Sequence, residues 1–100
     1  MVLKKTADAI SGVIRGLDAI GRYGGEEFLL IFPNSKLESA RIVCERIRSR
    51  IEEIEFNDGT KVTVSGGVAL YQAEDIVGFI DRADKKLYQA KRNGRNRIEV

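Results

Sequence analysis

No histidine occurs in these 100 residues. Without an imidazole, no serine or cysteine nucleophile can be paired with its usual base, which leaves carboxylates, lysine and metal ions as the available chemistry. Cysteine is nearly missing too. Cys44 stands alone, so neither an internal disulfide nor a zinc cluster can form, and a reducing compartment suits the chain. Its place on the apolar stripe of an expected helix marks it as a buried structural thiol rather than a reactive one. No apolar run approaches the ~20 residues of a membrane helix, and no basic-then-apolar leader is visible. The chain therefore reads as cytoplasmic, with no membrane span. Charge of one sign is also lacking. With 17 basic and 15 acidic residues the formal charge is only +2, which gives no reason to expect nucleic acid as a partner.

What is present suffices for one small domain spanning residues 1–100. A hydrophobic content of 43% supports a core near the lower size limit for independent folding. Leu3, Ala7, Ile10, Val13 or Ile14, and Leu17 recur at helical spacing, predicting a helix over 2–18 that Gly12 and Gly16 weaken. Two strands, 20–23 and 26–32, follow as a hairpin that Pro33-Asn34 ends. Ser35 and Glu38 have the spacing of a capping box, after which Leu37, Ala40, Cys44, Ile47, Ile51 and Ile54 define one apolar helix face. Asn57-Asp58-Gly59 signals a turn. The alternation of Val62 and Val64 with Thr63 and Ser65 begins a strand that runs to Leu70, and Gly66-Gly67 within it points to a bulge or a close backbone approach. A last helix, about 75–92, carries Ile76, Ile80, Ala83, Leu87 and Ala90, and Asn93-Gly94 stops it before a short strand at 97–100.

Two local features carry chemistry. In the hairpin turn, Gly24-Gly25 permits positive φ angles and close approach of a ligand to the backbone, while Glu26 and Glu27 supply hard oxygen donors suited to Mg²⁺. Taken alone, such a turn reads first as an ordinary hairpin with solvated carboxylates. The second feature is the run from Lys85 to Arg97, in which Lys85, Lys86, Lys91, Arg92, Arg95 and Arg97 meet no acidic residue. Phosphate suits such a terminus, although a basic helix end is also favoured by the helix dipole alone.

The order of these motifs is more specific than any one of them. Arg15-Gly16-Leu17-Asp18, then Arg22-Tyr23-Gly24-Gly25-Glu26-Glu27-Phe28, then Ala90-Lys91 followed by Gly94-Arg95-Asn96-Arg97, resembles the GGDEF family of bacterial diguanylate cyclases in its GGEEF form. The likeness runs from about Val2 to Val100. It implies an α+β fold, a ferredoxin-like, nucleotidyl-cyclase palm-type antiparallel sheet with helices. It also implies an N-terminally truncated domain, because the family's first strand, with a metal-binding Asp, and its guanine-reading helix have no counterpart here. The resemblance implies condensation of two GTP to cyclic di-GMP with release of pyrophosphate. Glu26 and Glu27 would be the catalytic residues and hold Mg²⁺ or Mn²⁺, with Gly24, Gly25, Lys91 and Arg95 binding substrate. Arg15 and Asp18 of the RxxD motif, with Arg46, would form an inhibitory cyclic di-GMP site. The apolar bodies of Tyr23 and Tyr88 are expected to pack.

Two other readings use the same residues. A non-catalytic cyclic di-GMP receptor would need only RxxD and Arg46, and a ferredoxin-like interaction domain would need none of the motifs to coexist. Loss of a central strand would expose unpaired backbone on its neighbours, which a homodimer, formed by strand exchange, would relieve.

Overall fold

The apolar run that starts at Phe28 forms one side of the first ladder of the structure, a computed structural model that describes residues 19–22, 28–33 and 35–100. Strand β1 (Ala19–Arg22) pairs antiparallel with β2 (Phe28–Ile31), in a register that sets Ala19 opposite Ile31 and Arg22 opposite Phe28. The turn joining them, 23–27, and the helix expected over 2–18 lie outside the described residues.

Helix α1 (Leu37–Glu52) buries the face expected of it, with Ala40, Ile47 and Ile51 inside. Ile51 is fully buried, and Leu30, Val43, Ile54, Val62 and Val64 pack around the Ile47–Ile51 pair. Removing a fully buried side chain of this size costs about 2–5 kcal/mol. The capping box does not form. The N-cap is Lys36, without a side-chain bond; Ser35 Oγ donates instead to the Pro33 carbonyl, 3.2 Å away, and Glu38 is engaged by Arg41 one turn along. A charged partner at i+3 outcompetes the backbone N–H for that carboxylate.

Phe56 to Gly59 make the expected turn, with Gly59 at φ +81°, its N–H bonded to the Phe56 carbonyl, and Thr60 N–H donating to Asp58 Oδ1. The strand expected over 62–70 contracts to β3 (Gly66–Gly67). Val62 and Val64 still pack on the core, but among the described residues they have no ladder partner. Helix α2 (Ile76–Arg92) follows, and Asp75 caps it by accepting from Gly78 N–H at 2.8 Å. Of its expected apolar stripe, Ala90 is buried and Ile80, Ala83 and Leu87 are half-buried, while Ile76 is 64% exposed.

Strand β4 (Ile98–Glu99) pairs with β3 in parallel, with Gly66 N–H bonded to the Arg97 carbonyl and Val68 N–H to that of Glu99. The α+β architecture is as expected, but the described strands form two separate ladders, one antiparallel and one parallel. A strand returning through a helical crossover arrives parallel to the one it left, which is the reason for the second ladder. Gly67 shows why the glycine pair is there. A Cβ on it would lie 2.2 Å from both the Ala83 carbonyl oxygen and the Leu87 nitrogen, so strand and helix backbones touch without an intervening side chain.

Candidate functional site

The end of α2 is shaped by its own sequence. Asn93 is the C-cap, Gly94 follows at φ +119°, and Arg95 N–H donates to the Ala90 carbonyl at 2.9 Å. That is the six-to-one bond of a Schellman turn, for which glycine is suited. The chain then stays in the left-handed region, with Arg95 at φ +64° and Asn96 at φ +47°. Asparagine tolerates this conformation, while arginine does so at a cost of about 1–3 kcal/mol unless its surroundings enforce it.

Asn96 is where the surroundings act. Its N–H donates to Ser65 Oγ at 3.1 Å, its Oδ1 accepts from Arg48 Nη1 at 2.9 Å, and its Nδ2 donates to Glu52. Arg48 is itself held by Glu45, and this contact draws the Glu45 carboxyl below the usual carboxylate range. The loop after α2 is thus tied to α1 and to the residue preceding β3. Composition and spacing give no hint of Asn96 in this role, because each of its partners is remote in sequence; its place inside the GRNR motif is the one available signal.

The cations of this terminus divide into two groups. Arg97 is committed internally, donating through Nη1 to the Asn93 carbonyl at 2.6 Å and pairing through Nε with Glu99 at 3.1 Å. Arg92 lies 5.7 Å from the centre of the Tyr88 ring. Tyr88 itself is 61% exposed, its ring lying against Arg92. Lys91 and Arg95 are both exposed, and neither side chain has a hydrogen-bonding or ionic partner among the described residues. Lys91 sits in the last turn of α2 and Arg95 just beyond it, so the structure brings this pair of expected substrate ligands to one helix end. Arg46 is exposed on α1. Two residues along a helix are about 200° apart, so Arg46 faces away from the loop that Arg48 holds.

Glu26, Glu27, Gly24, Gly25, Arg15 and Asp18 lie outside the described residues. Among the described residues no group of three or more His, Cys, Asp or Glu side chains could hold a metal ion. The two adjacent carboxylates of Glu26 and Glu27 are the donor set whose chemistry fits a hard divalent cation. A concavity of about 360 Å³ lies elsewhere, between Leu37, Leu70, Arg82 and Lys86, and takes in neither Lys91 nor Arg95. Cys44 is largely buried, and that burial pushes its thiol up to about 11, as expected of a structural cysteine. No helix among the described residues is long and apolar enough to cross a membrane.

Comparison with known proteins places this geometry in a family. The model of the diguanylate cyclase GGDEF domain matches residues 1–97. Diguanylate cyclase A of Treponema denticola is 43% identical over 105 residues, which takes in the whole of this chain and 28% of that protein. The active GGEEF domain of a diguanylate cyclase from Vibrio cholerae superposes with a TM-score of 0.90 at 36% identity, covering 99% of this chain and 65% of that one. The coiled coil and GGDEF domain of DgcB from Caulobacter crescentus, solved in complex with c-di-GMP, gives a TM-score of 0.89 at 30% identity, with coverage of 98% and 55%. The chain thus spans little more than a quarter of the length of its Treponema relative. By the extent of the family match and by these superpositions, the chain belongs to the GGDEF family of diguanylate cyclase domains.

Proposed function

We propose that residues 1–100 are a single partial GGDEF domain whose polypeptide condenses two GTP molecules to cyclic di-GMP in the cytoplasm. Each 3′-hydroxyl loses its proton and attacks the α-phosphorus of the other nucleotide. Two phosphodiester bonds form, and two pyrophosphates leave. The observation that carries this reading is the pair Lys91 and Arg95, two cations at one helix end whose side chains have no partner among the described residues, beyond a backbone that is firmly bonded. Lysine offers a compact charge and arginine a planar fork, so together they suit the oxygens of a triphosphate.

The remaining roles follow the family. Gly24 and Gly25 let the phosphates approach the backbone, and Glu26 and Glu27 are the acidic residues of the catalytic turn. Mg²⁺ or Mn²⁺, held by these carboxylates, would neutralise phosphate charge and make the 3′-hydroxyl easier to deprotonate. Arg15, Asp18 and Arg46 take the product, cyclic di-GMP, and so restrain the enzyme. Two GTP must meet face to face, which calls for a homodimer with one nucleotide per protomer, by strand exchange or by another interface.

The test is turnover. The full polypeptide carrying this domain, given GTP and Mg²⁺, is expected to release cyclic di-GMP and pyrophosphate and to lose that activity in Glu26→Gln. Binding of cyclic di-GMP without any turnover by the unmutated protein overturns the enzymatic reading in favour of a receptor.

A further inference from the structure

Among the described residues, Asn96 is the one member of the loop after α2 whose side chain reaches α1. We propose that Asn96 is a positioning residue, holding the left-handed course of residues 94–96 so that Arg95 is presented to the same triphosphate as Lys91. The inference rests on the reading of Lys91 and Arg95 as triphosphate ligands.

Three consecutive positive φ angles, +119°, +64° and +47°, carry the chain from Gly94 through Arg95 to Asn96. Arginine is the residue least suited to its place in this series, and its own side chain anchors nothing among the described residues. The loop is therefore held by its neighbours. One restraint is the bond from Arg95 N–H to the Ala90 carbonyl, and the others belong to Asn96, through its backbone N–H to Ser65 and its carboxamide to Arg48 and Glu52. A carboxamide is the group this position needs. It accepts from Arg48 and donates to Glu52 at once, whereas a carboxylate would meet Glu52 as a like charge, and glycine would keep the backbone angle while losing both bonds. A strained, non-glycine backbone persists only where contacts over-determine it, and here they do so at a cation whose side chain has no partner among the described residues.

Affinity for a GTP analogue with a methylene between its α and β phosphorus atoms, measured by calorimetry on the full polypeptide, tests the proposal. Arg95→Ala and Asn96→Gly are each expected to weaken binding about tenfold, and the double variant no more than Arg95→Ala alone, because groups acting through one contact are not additive. Glu52→Ala, at an exposed site, is expected to lose about threefold, with Glu52→Gln restoring the acceptor and the affinity. Unchanged binding in Asn96→Gly, or a full second loss in the double variant, overturns the positioning role while leaving Arg95 a ligand. Unchanged binding in Arg95→Ala removes both this role and the triphosphate assignment. If Asn96→Gly does not fold, the Glu52 pair decides: wild-type affinity in Glu52→Ala overturns the proposal, and loss with rescue by Glu52→Gln upholds it.

Discussion

Arg82 and Arg95, toward the two ends of α2, are treated in opposite ways. Toward the N-terminus, Arg82 spends its donors on its own fold: Nε and Nη2 reach the Glu74 carboxylate at 2.6 and 3.1 Å, and Nη2 also meets the Leu70 carbonyl. Its guanidinium lies 5.9 Å from the Phe79 ring centre, and Tyr71 meets that ring edge-on. Glu74 in turn accepts from Gln72 N–H, so the loop that places Ala73 at φ +61° is closed by side-chain contacts. At the other end, the loop is closed by Asn96 and the side chain of Arg95 is left to solvent. A guanidinium whose Nε and Nη2 are taken by its own loop has only Nη1 left for an anion, whereas one with a pinned backbone and no side-chain partner among the described residues can offer its whole fork.

The strongest blow to this contrast is Gly67→Ala. The new methyl would meet helix backbone that cannot rotate away, and the cost should reach about 3 kcal/mol or more in chemical denaturation, with both ends of α2 loosened together. Next comes the exchange of the two arginines' roles. Arg95→Ala should weaken triphosphate binding about tenfold, about 1.4 kcal/mol, with little change in Tm. Arg82→Ala should do the reverse, lowering Tm and leaving triphosphate affinity within about twofold of wild type. Equal effects of the two on binding would erase the distinction.

Acid should separate the ends further. Arg82, and then Gln72 N–H, hold the Glu74 carboxyl down at about 2, from the ordinary 4.5. A group whose folded value is depressed contributes its stability above the unfolded value and loses it as pH falls toward the folded one. Denaturation midpoints of wild type and Glu74→Gln should therefore differ above about pH 5 and converge as pH falls toward about 2. A constant gap across that window would show that the ion pair does not act on stability. The smallest effect is expected at Gly94, where an added Cβ meets nothing within 4 Å and only the φ of +119° opposes it. Gly94→Ala should cost about 1 kcal/mol of stability, a fraction of the Gly67 effect.

Much of the fold is legible because it is locally determined. The apolar stripe of α1, the Asn93-Gly94 stop and the close approach at Gly66-Gly67 each follow from a few neighbouring residues. The capping box was not legible, because Ser35 and Glu38 have the right spacing but Arg41 takes the carboxylate. Nor was the parallel pairing of β3 with β4, which depends on how the crossover returns rather than on any residue in either strand. The candidate site divides in the same way. Lys91 and Arg95 are found by motif and helix position, while the contacts of Asn96 span 48, 44 and 31 residues to Arg48, Glu52 and Ser65, beyond any window of periodicity.

Cys44 has a practical consequence. With its thiol near 11 and its side chain largely withdrawn from water, only about one molecule in a thousand carries the thiolate at pH 8. Maleimide reagents would pass it by at neutral pH. Because no other cysteine exists in these 100 residues, one introduced at exposed Gln89 becomes the fast-reacting thiol among them. A fluorophore there would test the proposed binding of nucleotide at the end of α2 without first replacing the native cysteine.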